Sequence, residues 1–166
     1  MPTPLEEKLM SLHKQPMVAF LRAHPEYFDE ALQLTLMDKQ PYSWRASWLL
    51  WSAMQKNDPR VKKYLKQLIA VLPKCKYNQQ REILKILELM EIGEKQQGLL
   101  FDYCVAIWSD VSKQASVRYN AFKILGKLAR LHPEMKQELL VLASRPYTDN
   151  MGQGIDKALH LILAKI

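Results

Sequence analysis

Four histidines, two cysteines and a pair of spaced aspartates are the residues with which this 166-residue chain could do acid–base or metal chemistry. Their spacing supports neither. His24 and His132 each precede a proline, and His13 and His160 stand alone. No H-E-x-x-H, C-x-x-C or G-x-S-x-G pattern occurs. Asp102 and Asp110 share one segment without a second group to divide acid and base roles between them. "GQGIDK" at 152–157 lacks the preceding strand that a phosphate loop requires, and reads as the start of a helix. The expectation is therefore no catalytic residue, no metal site and no cofactor.

Recognition chemistry is better represented. "WRASWLLW", residues 44–51, puts Trp44, Trp48 and Trp51 at i, i+4 and i+7, on one face of a helix. Large indoles suit a contact between helix pairs, and core packing is the expectation. Arg45 and Ser52 flank the stripe on its less apolar side, so an open margin would make an aromatic platform for a base, peptide or cation. The partner-binding candidates are Trp44, Arg45, Trp48, Arg81 and Lys85.

The formal net charge of +7 is unevenly placed. Residues 55–85 carry +7, 86–112 carry −4 and 113–137 carry +5, with 1–54 at −1 and 138–166 neutral. Two basic stripes result. Lys62, Lys63 and Lys66 form one, and Lys123, Lys127 and Arg130, at i, i+4 and i+7, form the other. A solvated helix face is the ordinary role of such charges, and phosphate contact is the alternative. No nucleic-acid-binding motif accompanies them.

The elements that must position these residues are helices. Hydrophobic residues make up 48% of the chain, glycines number five, and no alternating Val/Thr-rich run appears, which excludes an extensive sheet. No apolar stretch approaches the ~20 residues of a membrane span. Acidic residues stand in "MPTPLEEKLMSLHK" where a signal peptide would be basic, so the expected location is cytoplasmic. Cys75 and Cys104 read as small apolar side chains rather than as a disulfide framework.

Internal repetition organises the rest. "RAHPE" at 22–26 returns as "RLHPE" at 130–134, an offset of 108 residues, three periods of 36. Asp58-Pro59 and Gly93-Glu94 fall near the intermediate positions, where proline suits a first helical turn. A second series of starts lies halfway, at Gln40-Pro41, Tyr77-Asn78, Gln114-Ala115 and Asn150-Met151. Helices are predicted at 4–13, 16–23, 25–37, 41–56, 59–72, 78–92, 95–109, 115–131, 133–144 and 152–165. Short loops make successive helices antiparallel, and a pair every ~36 residues is an α-solenoid, with an unrepeated bundle as its rival.

"ASVRYNAFKILGKLA", residues 115–129, resembles the Val-Arg-x-x-Ala-x-x-x-Leu-Gly signature of HEAT-type repeats through Val117, Arg118, Ala121, Leu125 and Gly126, with Asp110 upstream. Arg45 and Arg81 repeat the pattern weakly. The resemblance implies an all-α superhelix of about four HEAT-like helix pairs. Within it, 1–24 would cap one end, 25–144 would hold the repeats and 145–166 would give a last helix. It also implies an arginine–aspartate ladder on the inner helices, where Arg118 lies on an apolar arc and needs a partner. Arg45 and Arg81 point away from their helices' apolar centres and depart from the ladder. The function implied is a non-catalytic scaffold for protein or peptide partners. Nucleic-acid binding through the basic stripes, in the manner of DNA-alkylation repeats, is the alternative. Oligomeric state is open.

Overall fold

The computed structural model describes residues 1–166, all helical with no strand. The chain divides into two compact units, Met1–Ile92 and Gly93–Ile166.

The first unit holds α1 (Pro4–Ser11), α2 (Lys14–Ala23), α3 (Phe28–Leu36), α4 (Tyr42–Ala53), α5 (Pro59–Lys62), α6 (Leu65–Val71) and α7 (Tyr77–Glu88). Helix starts follow local chemistry. Thr3 and Glu6 form a reciprocal capping box with Pro4 at the first helical position, and Asp58 accepts from the Arg60 N–H ahead of α5. Helix α4 packs against α3 and α7, and α1 and α2 also rest on it. Its packed face is built partly from small residues: Ser43, Ala46 and Ser47 are fully buried. Both hydroxyls are satisfied, Ser43 Oγ accepting from Lys39 N at 2.9 Å and Ser47 Oγ donating to Ser43 O at 2.7 Å. Small side chains let neighbouring helices approach, and Leu49, Leu50, Leu68, Ile83 and Leu87 are fully buried in the same unit.

The single helix predicted over 59–72 is two, broken at Lys63 and Tyr64. Tyr64 leaves helical geometry at φ −105°, ψ 6°. Its hydroxyl donates to the Asp29 carboxylate of α3 and accepts from Gln33 Nε2 at 3.3 Å. Contacts with α3 thus override the apolar periodicity that runs through both pieces. Beyond α4, Asn57 takes the left-handed conformation at φ 51°, which asparagine tolerates better than most residues. Its N–H donates to Leu89 O at 2.8 Å and its Oδ1 accepts from Glu91 N at 3.2 Å, tying this turn to the end of α7.

The second unit holds α8 (Glu94–Ser109), α9 (Ala115–Leu131), α10 (Lys136–Leu142) and α11 (Gln153–Ala164). Helices α8 and α9 are its main pair, burying Leu100, Cys104 and Trp108 with Val117, Phe122 and Leu125. At Gly126 an added Cβ would lie 2.2 Å from Ile162 Cγ2, so α11 approaches α9 where only glycine fits.

The repeated tetrapeptides share a backbone conformation. His24 lies at φ −126°, ψ 68° and His132 at φ −133°, ψ 77°. Each donates its N–H to the carbonyl four residues back, Phe20 or Leu128. Each then opens a 3-10 turn on its proline, leading into α3 or α10. Even the side chains repeat, with His24 Nδ1 3.2 Å from Glu26 and His132 Nδ1 3.6 Å from Glu134.

Candidate partner-binding groove

The tryptophan stripe on α4 is largely but not fully buried, short of the complete core packing its spacing suggested. Trp44, Trp48 and Trp51 are each only partly buried. Helix α4 has apolar side chains on nearly every face, and the face that packs is the one with Ser43, Ala46, Ser47 and Leu50. The indoles are left to form a wall facing α2. Along that wall run two depressions. One, of about 280 Å³, is lined by Leu12, His13, Lys14, Met17, Trp44, Arg45 and Trp48. The other, of about 920 Å³, is lined by Lys14, Gln15, Val18, Ala19, Arg22, Ala23, Trp51 and Ser52. Lys14 borders both, so they read as one groove between α2 and α4.

The charge in this groove has one sign. Lys14, Arg22 and Arg45 line it, and no Asp or Glu does. Lys14 Nζ lies 6.0 Å from the Trp48 ring centroid, and the Arg45 guanidinium lies 5.3 Å from that of Trp44. Arg45 donates from NH1 to Leu9 O at 3.0 Å, while its buried Nε has no acceptor. Next to the groove, Lys85 Nζ is 4.3 Å from the Trp51 ring. Lys85 and Arg81 both bind the buried Glu82 carboxylate, at 3.2 Å and 3.1 Å. Their charge is therefore partly offset, unlike that of Lys14 and Arg22, which have no ion-pair partner.

The groove joins Trp44, Arg45 and Trp48 with Trp51, and Lys85 stands beside Trp51. It also uses Lys14, Arg22 and Ser52. The α2 residues were not singled out from the sequence. Their signal is a helix face on which Lys14, Val18 and Arg22 recur every four residues around small Ala19 and Ala23. That mixed face cannot pack tightly against a wall of indoles.

The basic stripes belong to different units. Lys62, Lys63 and Lys66 are exposed on and between α5 and α6. On α9, Arg130 is exposed and Lys123 and Lys127 are half-buried, with Lys123 5.3 Å from the Tyr119 ring.

Arg118 has the partner it needs, but not an aspartate. It is 3% exposed. Nε donates to Trp108 O at 2.7 Å and NH2 to Tyr147 O at 2.6 Å, with the guanidinium 4.8 Å from the Trp108 ring. Burial lowers its pKa, which the Asp110 charge partly opposes. The Asp110 carboxylate is held by Ser112, whose hydrogen bonds keep it below its usual pKa. Arg118 is the fourth residue of α9, and the fourth residues of α4 and α7 are Arg45 and Gln80. Gln80 donates to Leu72 O at 2.9 Å. It is Gln80, and not Arg81, that matches Arg118 in register, and backbone carbonyls replace the aspartates of a ladder.

Burial pushes the Cys75 thiol up to about 12 and raises that of the fully buried Cys104, so both stay protonated and unreactive near neutral pH. No three His, Cys, Asp or Glu side chains converge to hold a metal ion. No helix is long and apolar enough to cross a membrane.

Antiparallel helix pairs, recurring boundary tetrapeptides and a groove walled by neighbouring helices define a helical-repeat protein. The family is specific: the HEAT repeat domain model matches residues 1–166, and the chain belongs to that family, whose fold class is the α-α superhelix. HEAT repeat domains are typically protein-binding scaffolds and usually non-catalytic. No curated protein and no solved structure matches the chain.

Proposed function

We propose that this chain is a non-catalytic scaffold that binds a protein or peptide segment in the groove between α2 and α4. The observation that carries the reading is a pair of adjoining depressions sharing Lys14 and walled by three partly buried indoles, with small apolar residues and unpaired cations opposite. Tryptophan and arginine are the side chains that dominate interface energetics. The lining offers no carboxylate to act as a base, which favours binding over catalysis, including repair chemistry on nucleic acid.

The test is selection of binders from a displayed random-peptide pool on the full chain. Ala19→Glu, on the exposed face of α2, should block the groove while leaving circular dichroism unchanged. Selected peptides should lose about tenfold or more in affinity for Ala19→Glu and for Trp51→Ser, the scale of a hot-spot loss. Binders indifferent to both changes would place recognition elsewhere and end this reading.

Nucleic-acid binding is a second reading, favoured by the exposure of Lys62, Lys63 and Lys66 within five residues of each other. Three phosphate contacts there would give log K a slope near −2.7 against log salt, from ~0.9 per contact. Anisotropy with labelled DNA and RNA measures it. Absence of binding at ~50 mM salt and micromolar protein, where phosphate contacts are strongest, removes it.

A further inference from the structure

We propose that the occupant of the α2–α4 groove is an acidic peptide segment bearing an aliphatic anchor; this rests on the groove being the binding site. Charge complementarity carries the argument. Lys14, Arg22 and Arg45 line the groove without a carboxylate among the lining residues. Lys14 and Arg22 have no ion-pair partner, and Arg45 gives the protein a single hydrogen bond, to Leu9 O. A guanidinium has five N–H donors in a planar fork suited to a carboxylate. Bringing acidic side chains here neutralises charge that the fold leaves unneutralised. A neutral or basic segment would bury those cations unpaired.

The tryptophans discriminate between acidic partners. Base stacking on a single strand needs a free indole face. Here Arg45 lies over Trp44, Lys14 over Trp48 and Lys85 over Trp51. Each indole already has a cation on one face, and two of those cations, Arg45 and Lys14, line the groove where a carboxylate would meet them. Val18, Ala19 and Ala23 leave room across from Trp51 for an aliphatic side chain. Helix α2 spans 10 residues, so the groove is roughly 15 Å long. An extended segment crosses that length in about four or five residues. Two or three acidic positions around one aliphatic residue would meet all three cations.

The experiment is fluorescence anisotropy on the full chain with four labelled ten-residue probes. One pool has Asp/Glu and Leu/Ile positions, a second replaces the acids by Asn/Gln, a third by Lys, and the fourth probe is a single-stranded oligonucleotide. The acidic pool should bind about tenfold or more tightly than the Asn/Gln pool at low salt, with the gap closing as salt screens the charges. Lys14→Gln with Arg22→Gln, both on the exposed face of α2, should remove that gap. Lys62→Gln with Lys66→Gln, equal in charge but outside the groove, should keep it. Equal binding of acidic and Asn/Gln pools, lost in Ala19→Glu, would overturn the acidic partner and leave the groove standing. Oligonucleotide binding that outcompetes the acidic pool and depends on Lys14 and Arg22 would replace the peptide by nucleic acid. Failure of all four probes to bind at millimolar concentration would overturn both the occupant and the groove.

Discussion

Two tryptophan–arginine pairs in this protein have opposite fates. In the second unit, Trp108 is fully buried, donates Nε1–H to Leu142 O at 2.8 Å and packs on Phe122 at 4.8 Å between ring centroids. Arg118 lies over it and ties its carbonyl and that of Tyr147 to α9. In the first unit, Trp44 and Arg45 stack at a similar distance, but both are only partly buried, and Arg45 reaches one carbonyl. The residue types are the same, and both arginines hold the fourth position of their helix. The difference lies in what packs opposite. Helices α8 and α9 enclose the first pair, whereas α2 stands off the second and leaves a groove. The first pair holds the fold together and the second retains donors and indole surface for a partner.

The sharpest break of this comparison is at its buried end. Trp108→Ala removes a fully buried indole and strands the Leu142 carbonyl, and should cost about 3–5 kcal/mol. Denaturant melts measure it. A loss under ~1 kcal/mol would mean that enclosure does not distinguish the two pairs.

Arg118→Met comes next. It keeps the aliphatic stem but leaves two carbonyl groups without their charged donor, for an expected loss of about 2–4 kcal/mol. The matching Arg45→Met should cost under ~1 kcal/mol, since only one partly buried hydrogen bond is lost. Equal losses would erase the structural contrast. Gly126→Ala, eight residues along the same helix, should cost about 1–3 kcal/mol by overpacking against Ile162. Ile162→Ala should partly rescue it in a double-mutant cycle.

This contrast marks the limit of what the sequence could tell. The boundary tetrapeptides, the helix starts at Pro59, Tyr77 and Ala115, and Gly126 in its signature were all legible, because each rests on chemistry within a few residues. The fate of the α4 stripe was not. Trp44, Trp48 and Trp51 share a face under any helical reading, but the neighbours of that face depend on α2, two helices earlier in the chain. Ser43 and Ser47 were the available clue. Small polar residues that can bond back to their own helix suit a tight helix contact, which makes the opposite face the free one. The break at Tyr64 is of the same kind: it depends on Asp29 and Gln33, over thirty residues earlier. Arg118's need for a partner was legible, but the partner was a carbonyl, which no side-chain motif encodes.

At the open end of the comparison, Trp48→Ala should cost about 1–2 kcal/mol, less than half the Trp108 value, because part of the indole already meets water. A loss equal to that of Trp108→Ala would mean that the stripe is core after all and that the groove wall is structural. Affinity for groove ligands should fall in Trp48→Ala and remain unchanged in conservative variants of the second unit such as Ile162→Val.

The smallest expected effect separates the units by acid. Two buried carboxylates of the first unit titrate below their usual values: Glu6, held chiefly by Lys39, and Asp58, held chiefly by Arg60. The second unit has only Asp110 so lowered, and it is exposed. A carboxyl group with a depressed folded-state pKa stabilises the fold fully above its ordinary value, here 4.5 for Glu6 and 3.8 for Asp58. That contribution fades as the pH falls through those values and is gone below the folded-state pKa. The first unit should therefore lose stability between about pH 5 and 3, and the second much less. In Trp108→Phe all remaining tryptophans lie in the first unit, so fluorescence-detected urea melts report on it alone. Added to that background, Asp58→Asn should cost only about 0.5–1 kcal/mol at pH 7, because the Arg60 side chain is 43% exposed and an asparagine keeps the cap on α5. It should also flatten the fall between pH 7 and 3.5. An unchanged pH slope in Asp58→Asn would mean that the Asp58–Arg60 pair does not set the acid response of the first unit.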